Sequence, residues 1–156
     1  MSELNVRIVE LPPMRVACAH GFGAGPEGIA WEKLFDWAKP EGLLEDWQTH
    51  RIFGFNNPDP SPGSPNYGYE FQIVVGPEVE AEGEIKIKAI PGGKYAALYC
   101  KGIPSIGERW RQLAAWRENS RYRYDESRQW LEEHLGSALE QQAIDEIELD
   151  LLMPII

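Results

Sequence analysis

The spacing of hydrophobic positions changes along this chain, and the changes mark its elements. From Pro26 to Lys39, Trp31, Leu34, Phe35 and Ala38 recur at three- and four-residue steps. That period predicts an amphipathic helix with one buried stripe, stopped by Pro40. From Tyr67 to Val75 the period falls to two, with Tyr69, Phe71, Ile73 and Val75 on one face and Glu70, Gln72 and Val74 on the other. This predicts a strand with unlike faces. A second helix is predicted from Pro104 or Ser105, with Ile106, Trp110, Leu113 and Ala114 as its stripe and Arg109, Arg111 and Glu118 toward water. Ser105 and Glu108 have the spacing of a capping box. Val6–Leu11, interrupted by Pro12-Pro13 and resuming at Met14–His20, reads as the opening strand. Arg51–Asn56, Ile85–Ile90, Lys94–Cys100 and Glu146–Ile155 read as further strands. Arg128–Leu135 fits helix or strand by period alone. Gly21, Gly23, Gly25 and Pro26 form a corner, Asn57–Asn66 a Pro-rich loop and Glu78–Glu84 an acidic connector. Leu43, Leu44 and Trp47 read as a further short turn or helix, and Ser137–Ala143 as a helical turn.

Superposing the chain on itself gives this list of elements an order. Leu11–Trp37 and Ile90–Trp116 align without a gap at an offset of 79 residues, matching Pro12 with Pro91, Ala17 with Ala96, Gly23 with Gly102 and Gly28 with Gly107. Trp31 then matches Trp110, Leu34 matches Leu113, and Trp37 matches Trp116. Two tryptophan pairs at one offset argue for an internal duplication. The expected domain covers residues 1–156, with repeat one at about 5–77 and repeat two at about 84–156. The duplication also favours a short strand for Arg128–Leu135, opposite Arg51–Asn56. The expected fold is α+β: duplicated βαββ units with pseudo-twofold symmetry, antiparallel sheets, one main helix per half and a groove between the halves.

Composition narrows the function. The net charge of −10, from 15 basic and 25 acidic residues, opposes binding to phosphate backbones and favours cations. No helix-turn-helix, zinc or basic-arm pattern is present, so direct nucleic-acid binding is not expected. His20, His50 and His134 lack metal-ligand spacing, and GFGAGPEG is neither a Walker nor a dinucleotide motif, so neither metal nor cofactor is expected. Cys18 and Cys100, inside apolar runs, read as buried free thiols. The first residues lack a signal-peptide pattern, and a soluble, cytoplasmic protein without membrane contact is expected.

IPGGKYAALYCKG followed by Trp110 and Trp116, FGFNNP before YGYE, WLEEHL, and the ending DLLMPI resemble, in that order, the GyrI-like small-molecule-binding domain. That domain also forms the effector-binding part of AraC-type and MerR-type activators. The resemblance covers nearly the whole chain. It implies two βαββ units that bind lipophilic cations and other drugs between them, in a stand-alone form. Its branches also imply two alternatives: a hydrolase of reactive drug-like compounds, or a module that contacts gyrase or a regulator. Leu131-Glu132-Glu133-His134 resembles the family's ligand-facing Leu-Glu-x-Tyr strand, with His134 in place of the tyrosine. Asp150, four residues before Pro154, resembles the acid of the family's final strand.

The candidate ligand-binding residues are therefore Glu132, Glu70 and Asp150 as cation-attracting carboxylates. Tyr67, Tyr69, Phe55, Trp110 and Trp130 are candidate aromatic walls, beside His134. A cation over an aromatic face gains about 0.5–2 kcal/mol. A desolvated carboxylate is costly unless paired, so acids in such a groove invite a cationic ligand. No nucleophile–base arrangement is readable, and Glu132 is the candidate acid or base if the protein is an enzyme.

Overall fold

A computed structural model of the protein describes residues 4–139 and 143–156. The chain forms two compact units, one from residues 14–90 with Ser137–Leu139, the other from 4–13, 91–136 and 143–156. The elements in order are β1 (Arg7–Leu11), β2 (Met14–Gly23), α1 (Pro26–Ala38), β3 (Ile52–Asn56), β4 (Tyr67–Val74), β5 (Lys86–Ile90), β6 (Gly93–Lys101), α2 (Ile106–Glu118), β7 (Leu131–Leu135) and β8 (Glu148–Pro154). All pairings within each unit are antiparallel. The first unit has the strand order β3-β4-β2-β5, the second β1-β6-β8-β7.

The α+β class, the antiparallel pairing and one main helix per half agree with the sequence reading. The opening segment needs a correction: Val6–His20 is not one kinked strand. Tandem prolines at 12 and 13 offer no backbone N–H and cannot continue a ladder. The chain leaves β6 after Leu11↔Gly93 and begins a new strand, β2, in the other unit. The second repeat does the same at Pro91. There Gly92 adopts φ +74°, and a Cβ would meet Leu11 O at 2.4 Å, so glycine is required by both conformation and space. Each repeat thus places its first strand in the unit built from the other repeat. The register obeys the duplication: Arg7↔Ala97 in one unit becomes Cys18↔Lys86 in the other, both residues moved by 79.

In the first unit α1 begins with Pro26 at its first turn and buries Pro26, Ala30, Leu34 and Ala38. Small side chains at 30 and 38 let the helix lie close on Ala17 and Ala19 of β2. Tyr69, Phe71 and Ile73 of β4 complete this core. Trp31 packs edge-on against Phe71 at 5.1 Å. Burying a side chain such as Leu34 contributes about 2 kcal/mol. In the second unit Leu113 is the fully buried residue of α2, over Ala96, Leu98 and Cys100 of β6 and Leu149, Leu151 and Met153 of β8. The expected capping box does not form. A 3-10 turn at Ile103–Ser105 already winds the chain, so Ser105 has φ −89° and ψ −6° and its side chain caps nothing. A side-chain cap needs an extended residue at that position. Arg128–Leu135 resolves as strand β7 over its last five residues. Ser137–Leu139 includes a turn, and the rest of the turn expected up to Ala143 lies largely outside the described residues.

Candidate ligand-binding site

Alternation along each strand decides what a side chain can meet. In the second unit, Glu132 stands opposite Leu151, a residue of the core beneath α2, and so faces the helix. It accepts a hydrogen bond from Trp110 Nε1 at 2.8 Å. The Trp110 and Trp130 rings lie 5.0 Å apart at 36°. Trp130 donates through Nε1 to the Tyr124 hydroxyl, and those rings meet edge-on at 5.5 Å. Three aromatic rings and a carboxylate therefore form one cluster. His134 has the same parity on β7, and burial pushes its pKa down to about 4, leaving it neutral at pH 7.

Asp150 lies on the other face of the same sheet. Its cross-strand partners are Tyr99 on β6 and Glu133 on β7, and it accepts from Arg7 Nη2 at 2.5 Å. Glu133 is only 5% exposed, and the sequence reading did not single it out. Its signal was present: Glu133 shares parity with Leu131 and Leu135, whereas Glu132 shares parity with Trp130.

In the first unit, Glu70 is 3% exposed on the face away from α1. Lys88 Nζ donates to its two oxygens at 2.8 and 3.0 Å, Gln72 Nε2 to Oε2 at 2.7 Å, and Asn57 Nδ2 to Oε1 at 3.4 Å. Phe55 stands directly opposite on β3 and His20 on β2. Beneath them the Cys18 thiol is pushed up to about 12, first by burial and then by the Glu70 charge. Tyr67 and Tyr69 do not join this group. They have the opposite parity on β4: Tyr67 donates to Glu27 in the first turn of α1, and Tyr69 packs on Phe71 at 4.9 Å in the core. Glu70 and Asp150 are equivalent by the duplication, since His20↔Glu70 and Tyr99↔Asp150 occupy matching rungs.

The predicted residues thus separate into Glu132 with Trp110 and Trp130, Glu70 with Phe55, and Asp150 beside Glu133. Among the described residues no group of three or more His, Cys, Asp or Glu side chains is placed to hold a metal ion. Among the described residues no helix is long and apolar enough to cross a membrane.

The sequence profile of the GyrI-like small molecule binding domain matches residues 4–155. The chain belongs to this family. Comparison with curated protein sequences gave no match. Among solved structures, this GyrI-like chain is similar to the EcmrR C-terminal domain, with 18% identity, 98% of each chain covered and a TM-score of 0.73. It spans 57% of the longer EcmrR chain seen in complex with DNA, at 17% identity, 97% coverage of its own length and a TM-score of 0.72. It is also similar to a hydrolase from Listeria innocua, at 11% identity, 100% and 94% coverage and a TM-score of 0.70. SAV2435 bound to tetraphenylphosphonium matches at 11% identity, 98% and 94% coverage and a TM-score of 0.59. Identities this low speak for a shared GyrI-like fold, and function must be argued from the side chains.

Proposed function

We propose that this GyrI-like domain binds hydrophobic, positively charged small molecules, as a sensor or sequestering protein, with Glu132, hydrogen-bonded to Trp110 in the Trp110–Trp130 cluster, as a principal contact. Asp150 lies on the opposite sheet face and is paired with Arg7, and Glu70, with Phe55 opposite it, belongs to the other unit and is paired with Lys88, so they are not taken as contacts of that ligand. The observation that carries the reading is the cluster of a carboxylate with three aromatic rings, in a chain of net charge −10 whose family is a small-molecule-binding one. The tetraphenylphosphonium on SAV2435 supports the choice of a lipophilic cation. A cation over an aromatic face gains about 0.5–2 kcal/mol, and the carboxylate contributes a partly screened Coulomb attraction.

The test is a tryptophan-fluorescence titration with tetraphenylphosphonium and with neutral triphenylphosphine oxide, on wild type and Glu132→Gln. Glu132→Gln keeps an acceptor for Trp110 and removes the charge. Saturable binding of the cation, weakened about tenfold by the substitution while the neutral compound is unaffected, supports the proposal. Equal loss for both compounds removes the electrostatic argument, and no saturable binding removes the function. Mass analysis of the recovered ligand tests the alternative of a hydrolase, which the likeness to the Listeria innocua protein keeps in view.

A further inference from the structure

In the unit of residues 14–90, the C-terminal half of α1 and the turn at residues 82–85 leave an open cavity of about 490 Å³ between them. Asp36, Trp37 and Glu41 line it from the helix side, and Glu82, Glu84 and Ile85 from the turn. Reciprocal backbone bonds between Glu82 and Ile85, at 3.1 and 2.9 Å, hold that second wall in place. Four carboxylates thus stand around one ammonium, that of Lys33. Two of the four are engaged: Glu82 accepts from Trp37 Nε1 at 3.3 Å, and Glu84 from Lys33 Nζ at 3.3 Å. Lys33 also donates to His20 O at 3.0 Å. Asp36 and Glu41 have no hydrogen-bond or ion-pair partner among the described residues. They sit at the end of the helix where backbone carbonyls already concentrate negative charge, a place that favours cations. Yet α1 has no basic residue in its last turn, and Lys39, just beyond it, lies over the Phe35 ring at 5.4 Å. The duplicated fold does not require this arrangement. The positions matching Lys33, Asp36 and Glu41 are the uncharged Gln112, Ala115 and Ser120, and α2 carries Arg117 in its last turn. The acidity of the cavity is therefore an addition to the fold, and part of it is left uncompensated.

We propose that this cavity is a binding site for an aliphatic diamine or polyamine. Asp36 and Glu41 take its ammonium groups, and Trp37 and Ile85 meet the methylenes between them. An ammonium beside an indole gains from the ring face as well as from the carboxylates. A bare metal ion gains only the charge, and no group of three or more His, Cys, Asp or Glu among the described residues is placed to hold one. The site lies within one unit and shares no residue with the Glu132 cluster, so it stands apart from the proposed function.

The test is calorimetric titration of the full chain at pH 7 and constant ionic strength with butylamine, putrescine and spermidine, which carry one, two and three ammonium groups, and with magnesium chloride. Saturable binding to one site is expected, tightening along the amine series, with putrescine held about tenfold more tightly than the magnesium ion of equal charge. Asp36→Asn combined with Glu41→Gln should weaken spermidine by about tenfold or more. Glu10→Gln combined with Glu126→Gln removes the same charge from exposed positions in the other unit and should leave binding unchanged. Absence of saturable binding overturns the proposal. Equal affinity for putrescine and magnesium, or equal weakening by the two double variants, does so too, because the attraction would then be that of the net charge alone. Should the Asp36, Glu41 variant not fold, NMR of the wild type decides. The Trp37 indole N–H resonance is expected to shift as spermidine is added, and a resonance that stays in place rejects the site.

Discussion

Lys88→Met strands a carboxylate, whereas Glu70→Gln strands an ammonium, and the two partners sit in different surroundings. The Glu70 side chain is 4% exposed and that of Lys88 is 45% exposed. Their closest contact is 2.8 Å. Two unit charges about 3 Å apart attract by about 5 kcal/mol at an effective dielectric near 20, and water around the lysine reduces this severalfold. Without Lys88, Glu70 keeps its bonds from Gln72 and Asn57 but has no counter-charge and cannot reach water without moving β4. We expect Lys88→Met to cost about 2–3 kcal/mol, below the roughly 3–5 kcal/mol of a fully buried pair. Glu70→Gln leaves the ammonium free to turn into water and keeps an acceptor for Gln72, so it should cost about 1 kcal/mol or less. Urea unfolding at pH 7 of both variants and of the double variant measures the difference, with an unchanged slope as the check on two-state behaviour. Equal costs, or a larger cost for Glu70→Gln, would refute the reasoning, because the exposed partner would then be the one that matters.

Three further outcomes can be checked on the same material. At Gly54 a Cβ would sit 2.2 Å from the Tyr69 hydroxyl oxygen, so Gly54→Ala must displace a ring that is 4% exposed and packed on Phe71; a loss of about 2–4 kcal/mol is expected in urea unfolding, and a neutral substitution would contradict the packing. Hydrogen bonds from Ser127 and then Arg128 lower the Asp125 pKa to about 2. Its unfolded value is about 3.9, so its contribution to stability is complete above roughly pH 4 and is lost as pH falls through about 2. Asp125→Asn should therefore flatten the acid limb of the stability profile between those values, and an unchanged limb would count against the assignment. With its pKa near 12, Cys18 should resist iodoacetamide at pH 8 until the chain unfolds, and rapid labelling of the folded protein would contradict its burial.

Local period was enough to find α1, α2 and β4, because their apolar faces repeat within a few residues. The exchange of first strands was not legible, since a ladder partner is a non-local fact: Pro12-Pro13 told where pairing must stop but not where the chain goes next. The same limit explains Glu132 and Glu133. Adjacent acids in a strand point to opposite faces, so choosing between them by motif alone chooses a face without evidence for it. Glu132 lies against Trp110 beneath the helix, and Glu133 lies across from Asp150 on the other side. The exchange also accounts for how the two equivalent acids are held. Arg7, from the exchanged strand β1, meets Asp150, and Lys88, from the exchanged strand β5, meets Glu70. Each sheet face receives its acid from an inner strand, β8 or β4, and its cation from an edge strand contributed by the other repeat. Electrostatic pairing thus reinforces the exchanged arrangement: returning β1 or β5 to its own repeat would leave Asp150 or Glu70 without the cation that meets it.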